Sequence, residues 1–467
     1  MGASGDTVFR RRAGSVATAG RLVISFLVLI AVGSVLLLLP AARQPGVPAI
    51  AWLDAVFVAT SAACVTGLST VNVGATFSGF GQAVILGLIQ LGGLGITTAG
   101  TLFLLVRRGA GSLASEDFIA ANVGRLRDAR PVDVFIYSCF VVLTIEWMGT
   151  VALTYLIMEH HPSASFSQAL WEAAFHSVSA FCNAGFSTYE NGLIAWRDDW
   201  RALGVTSVLV IAGGIGLLTL VNFRYYYPWR RDRRRRGRLT LQTRLCLYVS
   251  LILLGLGTLF TWINEWDHTG KEAHGWQGLL WAFVHSTMTR TAGFNVVDLA
   301  EMAPETLLGS LVLMFVGGSP GSMAGGIKVT TLVLLGVVAW SALKRRSDLV
   351  LGRNTIAPAQ ANNAVMVALL SAMVLIVGIG LLMNVEAHRP AVETPLHWLA
   401  LIFEATSAFA TVGLSTGITE LLSPAGKSIV AILMFVGRLG PLCLAMHLAR
   451  PAQPARITFP RDDVASG

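Results

Sequence analysis

Four stretches of this chain offer backbone oxygen, rather than a reactive side chain, as the group able to do chemistry. They run Ser61 to Thr70, Ser179 to Thr188, Thr287 to Val296 and Ser407 to Thr416, and each centres on a glycine: Gly67, Gly185, Gly293 and Gly413, separated by 118, 108 and 120 residues. Leu or Phe follows every one of the four. Carbonyl oxygens at successive positions of an extended loop can replace the hydration shell of a dehydrated monovalent cation. Glycine, lacking a Cβ, lets such loops approach one another in backbone conformations closed to other residues. A single glycine in an apolar segment is ordinarily a packing residue, and the neighbouring Ser, Thr and Asn could be ordinary interhelical hydrogen-bonders. Four at matching places favour a pore lining instead.

The elements that must position these loops are membrane helices. Of the 467 residues 54% are apolar and 13% charged, with a mean hydropathy of +0.65, where soluble chains carry about 25% charged residues. Eight long apolar runs follow: Leu22 to Leu39, Phe80 to Val106, Val134 to Met158, Ala202 to Phe223, Leu245 to Asn264, Leu307 to Leu343, Ala361 to Val385 and Ser428 to Met446. Each can cross a hydrocarbon core of about 30 Å. The first run lacks a small-residue cleavage site directly after it and reads as a retained helix rather than a signal peptide. Four shorter pieces, Trp52 to Ala63, Ala169 to Phe181, Leu279 to Met288 and Trp398 to Phe409, lie just before the glycine loops and read as re-entrant segments. Their negative C-terminal ends would favour a cation. The fold class expected is therefore an all-α integral membrane protein of four linked repeats, eight spanning helices and four re-entrant pore helices around a pseudo-fourfold pore.

Charge sets the sidedness. The net charge is +8, concentrated at Arg10 to Arg12, Arg21, Arg107 and Arg108, Arg230 to Arg238, Lys344 to Arg346 and the tail residues Arg450, Arg456 and Arg461. Alternation of these runs with apolar segments follows the positive-inside rule rather than nucleic-acid binding and places both termini in the cytoplasm. The opposite connections hold Glu159, Glu190, Asp198, Asp199, Glu265, Asp267, Asp298, Glu301, Glu305, Glu386 and Glu393, an acidic bias that would concentrate cations at an entrance or merely solvate the loops. Five cysteines stand singly, which indicates neither a disulfide scaffold nor a zinc site. No P-loop, nucleophile elbow or metal-ligand spacing supports an enzyme.

The motifs Cys64-Val65-Thr66-Gly67-Leu68, Asn183-Ala184-Gly185-Phe186-Ser187, Arg290-Thr291-Ala292-Gly293-Phe294-Asn295 and Ala410-Thr411-Val412-Gly413-Leu414-Ser415 resemble those of the Trk/Ktr/HKT superfamily of potassium transporters, built from four M1-P-M2 units. The resemblance covers about Arg21 to Met446 and, with eight spans and no extra helix pair, is closer to the KtrB-type membrane subunit than to the TrkH type. It implies repeats at 22–108, 109–223, 224–343 and 344–449, between cytoplasmic segments 1–21 and 450–467. It implies potassium selectivity, because the first-repeat position is Gly67 where sodium-selective plant relatives carry Ser. The potassium sites would be formed by Val65, Thr66, Gly67, Asn183, Ala184, Gly185, Thr291, Ala292, Gly293, Thr411, Val412 and Gly413. Their side chains differ between repeats, which suggests looser selectivity than a tetrameric potassium channel.

The sixth apolar run contains Gly317, Gly318, Ser319, Pro320, Gly321, Ser322, Gly325 and Gly326, followed by Lys328. Such a sequence cannot remain a regular helix, since in a helix interior Gly costs about 1 and Pro about 3 kcal/mol relative to Ala. By resemblance it is the intramembrane gating loop, and a packing kink is the plainer alternative. Arg438 lies in an apolar run where a charge must face a cavity or a partner, and the resemblance gives it the part of a brake on cation passage or an anchor for the loop. Glu146 carries no family motif and reads as paired with a polar neighbour or snorkelling rather than as a coupling-ion ligand. The resemblance further implies location in the cytoplasmic membrane among lipids, a homodimer, and a cytoplasmic ring of RCK subunits of the KtrA or TrkA type that binds ATP or ADP. The chain itself carries no cofactor; K+ is its substrate and Na+ a coupling or activating ion. The competing reading is a sodium- or proton-coupled solute symporter with discontinuous helices, a class that commonly has two repeats rather than four.

Overall fold

A computed structural model describes residues 3–106, 131–163, 165–216, 219–220, 239, 241–266, 268, 275–346, 348–352, 354–387 and 397–448. Arg107 and Arg108, Arg230 to Arg238, Asp267, Glu393 and the tail arginines lie outside the described residues. The chain is predominantly helical: α1 (Ala3–Leu38), α2 (Trp52–Ala63), α3 (Gly79–Val106), α4 (Pro131–His160), α5 (Phe166–Phe181), α6 (Trp200–Ile215), α7 (Leu241–Glu265), α8 (Trp276–Met288), α9 (Pro304–Phe315), α10 (Val329–Leu343), α11 (Pro358–Glu386), α12 (His397–Ala410) and α13 (Pro424–Leu448). The described strands are a two-residue pair, Val350–Leu351 against Asn354–Thr355.

Helix starts follow local chemistry. Ser165 caps α5 by accepting from the Gln168 N–H, Asp199 caps α6 by accepting from Arg201, and α9 and α11 begin on Pro304 and Pro358, whose missing N–H costs nothing there. Among the described residues four helical segments are long and apolar enough to cross a membrane: Gly20–Leu38, Ile136–His160, Leu241–Glu265 and Pro358–Glu386. They belong to α1, α4, α7 and α11, and α1 displays what this requires. Leu22, Phe26, Ile30 and Leu37 are buried in protein while Ile24, Leu27, Val28, Val32 and Val35 face outward, an apolar outer face that suits lipid.

Two of the expected long runs are not continuous helices. The run from Leu307 to Leu343 is split into α9 and α10 around a non-helical segment, as its glycines and Pro320 require. The run from Ala202 to Phe223 is interrupted at Gly216, which follows Ile215 at the end of α6 and takes φ +92°. The carbonyls of Gly213 and Gly214, left over at that helix end, accept instead from Met323 at 3.2 Å and Ser319 at 3.0 Å.

Packing joins the helices into four groups: α1 to α3, α4 to α6, α7 to α10 and α11 to α13. Between groups a single relationship recurs, in which the helix after one glycine loop packs on the short helix before the next: α3 on α5, α6 on α8, α9 on α12, and α13 back on α2. The order closes on itself. Lys427 Nζ, at the start of α13, reaches Asp54 Oδ1 of α2 at 2.8 Å across that closure.

Candidate functional site

Each short helix ends in the loop that follows it through a defined hydrogen-bond pattern. In the first, Val65 N–H donates to Ala62 O at 3.1 Å and Thr66 N–H to Ser61 O at 2.8 Å; Asn183 to Ala180 with Ala184 to Ser179, and Thr411 to Ala408 with Val412 to Ser407, repeat it. This is the Schellman ending, whose turning residue takes a left-handed conformation and is usually glycine. Here that residue is Val65 (φ 56°), Asn183 (58°) or Thr411 (49°), with Thr291 (68°) at the corresponding place in the third loop. Positive φ on Val or Thr costs of order 1–3 kcal/mol and persists only where the surroundings impose it. The third loop is tied differently, with Ala292 N–H on Met288 O at 3.0 Å.

The four glycines also have positive φ, +103°, +69°, +74° and +94° for Gly67, Gly185, Gly293 and Gly413. A Cβ on Gly67 would run into Ala184 O, one on Gly185 would sit 2.8 Å from Ala292 O, one on Gly293 would run into Val412 O, and one on Gly413 into Thr66 O. Each loop thus abuts the next, and the fourth abuts the first. The four glycines and the carbonyls of Thr66, Ala184, Ala292 and Val412 are brought together as a closed ring. The hydroxyls of Ser61 and Ser407 secure it from behind, accepting from Gly67 N–H at 3.1 Å and Gly413 N–H at 3.0 Å, while Ser179 donates to Phe186 O at 2.7 Å. These serines stood in the motifs without a role; their recurrence six residues before Gly67, Gly185 and Gly413, with Thr287 at that place before Gly293, was the available signal.

On one side the ring opens into a cavity of about 890 Å³ lined by all four glycines together with Glu190, Asp298, Glu301, Glu420 and Arg197. The acidic expectation is met in part. Glu190, Asp298 and Glu301 line the cavity, whereas Asp199 is a helix cap, Glu265 accepts from Ala303 N–H at 3.0 Å, and Glu386 accepts from Ser423 N–H at 3.0 Å. Burial works against ionised Asp199, but the Arg201 backbone N–H, the His160 ring and the Arg201 guanidinium outweigh it and hold its carboxyl below the usual carboxylate range.

On the other side lies the glycine-rich segment between α9 and α10. Its ends are zipped together by Gly317 N–H on Ile327 O at 3.0 Å and Ile327 N–H on Phe315 O at 3.1 Å. It rests on the ring, where Gly325 N–H donates to Thr291 Oγ1 at 3.2 Å and a Cβ on Gly325 would meet the Ala410 carbonyl. Lys328 Nζ folds back onto Ala324 O at 2.7 Å. Two guanidiniums hold the segment: Arg438 Nη1 donates to Met323 O at 2.6 Å and Arg290 Nη2 to Gly317 O at 2.9 Å. Arg290 was quoted in the third motif without a role. Glu146 is paired, accepting from Gln90 Nε2 at 3.1 Å and from the Cys182 thiol at 3.8 Å.

A ring of backbone carbonyls between helix ends, inside a predominantly helical multi-pass membrane protein, belongs to a membrane transport protein and not to an enzyme. Residues 22–454 match the family described as TrkH: Cation transport protein. The chain belongs to that family. It is 33% identical to the Ktr system potassium uptake protein B of Bacillus subtilis (strain 168), covering 96% of each chain. It is 30% identical to the potassium/sodium uptake protein NtpJ of Enterococcus hirae, covering 95% of each. The fold matches the crystal structure of the potassium transporter TrkH from Vibrio parahaemolyticus with a TM-score of 0.67 at 18% identity, over 90% of this chain and 82% of that one.

Proposed function

We propose that the chain takes up potassium across the cytoplasmic membrane through the ring of four loops. In this reading the carbonyls at Val65, Thr66, Asn183, Ala184, Thr291, Ala292, Thr411 and Val412, with those of the four glycines, coordinate dehydrated K+. The observation that carries it is the closed contact of Gly67, Gly185, Gly293 and Gly413, each against the next loop's backbone. The four helix groups act as M1-P-M2 units around a pseudo-fourfold axis, with eight membrane crossings and both termini in the cytoplasm. The segment from Gly317 to Gly326, held by Arg438 and followed by Lys328, blocks the path until it moves. Control comes from a cytoplasmic RCK ring that binds ATP or ADP, contacting a homodimer of this chain, and sodium assists uptake. The names of the relatives support this, one a component of a Ktr system and one a potassium/sodium uptake protein.

The test is rubidium or potassium uptake in a bacterial strain lacking its own potassium uptake, with and without a co-expressed RCK subunit, at low external potassium and varied sodium. Uptake that depends on Gly67 and responds to the RCK subunit supports the reading. Folded protein in the membrane with no flux of either ion under any condition overturns it.

A further inference from the structure

Nine residues before the ring glycine, two of the short helices carry an ionisable group and two do not. The four positions are Val58, His176, Val284 and Glu404, all buried. The contact order of the loops places the second and fourth opposite each other. Both ionisable groups hold the same partner, the serine two residues after the glycine: His176 Nε2 lies 2.9 Å from Ser187 Oγ, and Glu404 Oε2 lies 2.8 Å from Ser415 Oγ. These two serines line the cavity above the ring.

Around Glu404 the hydrogen bonds can be counted proton by proton. Ser415 Oγ touches Glu404 Oε2, Thr419 Oγ1 touches Glu404 Oε1, and the two hydroxyl oxygens lie 3.0 Å apart. Three contacts join three groups. Each hydroxyl brings one proton. An ionised carboxylate would draw both of them, leaving the Ser415 and Thr419 oxygens facing each other with none between. A neutral acid supplies the third and closes a cycle, Glu404 to Thr419, Thr419 to Ser415, and Ser415 back to Glu404. Ser415 is then fully used, because its second lone pair accepts from Gly417 N–H at 3.0 Å. With Glu404 itself fully buried, such a cycle strengthens each of its members.

We propose that Glu404 is carried as the neutral carboxylic acid and is a positioning residue for cation affinity, fixing the outer end of the fourth loop through Ser415 and Thr419 as His176 fixes the second loop through Ser187. The proposal rests on the reading of the ring as the potassium site. Its content is that Glu404 acts by donating and accepting, not by charge.

The experiment compares wild type with Glu404→Ala, Glu404→Gln and Thr419→Val in rubidium uptake, measuring the rubidium concentration for half-maximal uptake, the maximal rate and the preference for rubidium over sodium. The amide of Gln donates and accepts as the neutral acid does. Glu404→Ala and Thr419→Val should each raise the half-maximal concentration about fivefold, the size of one lost hydrogen bond, with a smaller change in maximal rate and a narrowed preference over sodium. Glu404→Gln should restore both. Infrared difference spectra of the purified wild-type and Glu404→Gln proteins at neutral pH provide the second arm: a protonated-carboxyl carbonyl stretch present in wild type and missing from Glu404→Gln is expected. Loss of affinity in Glu404→Gln equal to that in Glu404→Ala, or no carboxyl band assignable to Glu404, would overturn the proposal. Absence of rubidium uptake by wild type would instead defeat the potassium reading, and the infrared arm would still decide the state of Glu404.

Discussion

Arg438 Nη1 donates to the carbonyl of Met323 at 2.6 Å, so a guanidinium from the last helix holds the middle of the segment lying beneath the ring. Its Nε and Nη2 have no protein partner among the described residues. The Arg438–Met323 bond is one of the side-chain contacts that hold the segment, with that of Arg290 to Gly317. Arg438→Ala is expected to raise basal rubidium uptake several-fold and reduce its dependence on a regulatory subunit. Unchanged uptake and regulation in that variant would count against a holding role.

Gly67 and Gly413 leave no room for a side chain. A serine Cβ at either place drives into a carbonyl of the neighbouring loop and sits at a φ that L residues resist. Gly67→Ser and Gly413→Ser should cut potassium uptake about tenfold or more, equivalent to at least about 1.4 kcal/mol, while protein levels in the membrane hold. Paired uptake measurements with rubidium and sodium check this. Equal loss for both ions would mean blockage rather than altered selectivity.

Ser61 and Ser407 test how the ring is held. Each accepts from its own loop's glycine N–H, and Ala at either position leaves that donor unpaired at about 1 kcal/mol. Ser61→Ala and Ser407→Ala should therefore loosen the preference for potassium over sodium several-fold, with the thermal midpoint falling by a few degrees. Competition of sodium with rubidium uptake reads the first effect.

Asp199 predicts an acid limb of stability. Its folded pKa is depressed, so its contribution is complete above the unfolded value of about 3.9 and is lost as pH falls through the lower folded value. Asp199→Ala should cost about 1 kcal/mol at neutral pH, as loss of a helix cap does. The gap from wild type should close below about pH 4. Thermal unfolding of detergent-solubilised protein between pH 7 and pH 3 tests the sign, and a gap that widens on acidification would refute it.

Lys427 and Asp54 join the first and last helix groups with side chains 15% and 18% exposed. Lys427→Met alone should cost about 2 kcal/mol, between the values for exposed and buried pairs. Adding Asp54→Asn should recover part of it, because the stranded charge is then gone. A double-mutant cycle on thermal stability gives the coupling.

The repeat, the membrane class, the four loops and the break in the sixth apolar run were legible in the residues themselves. Glycine spacing, apolar run length and the helix-breaking Gly317 to Gly326 segment act locally or by simple recurrence, so one chain read end to end displays them. The short helix ends at Val65 and Thr411 were not legible as left-handed caps, because β-branched residues disfavour that conformation and adopt it only under tertiary constraint, whereas Asn183 is of a type that tolerates it. Nor did the premature end of α6 show in its run, since the donors that satisfy Gly213 and Gly214 come from Ser319 and Met323, far along the chain. Buried polar groups must find partners wherever the fold offers them. That is why Arg438 could be singled out as buried while its acceptor could not, and why Glu146 with Gln90 and Glu404 with Ser415 and Thr419 emerged only in three dimensions. Sequence determined which residues must avoid lipid and which loops recur. Tertiary structure alone decided which backbone oxygen each of them meets, because those distances are set by packing between helices rather than by position along the chain.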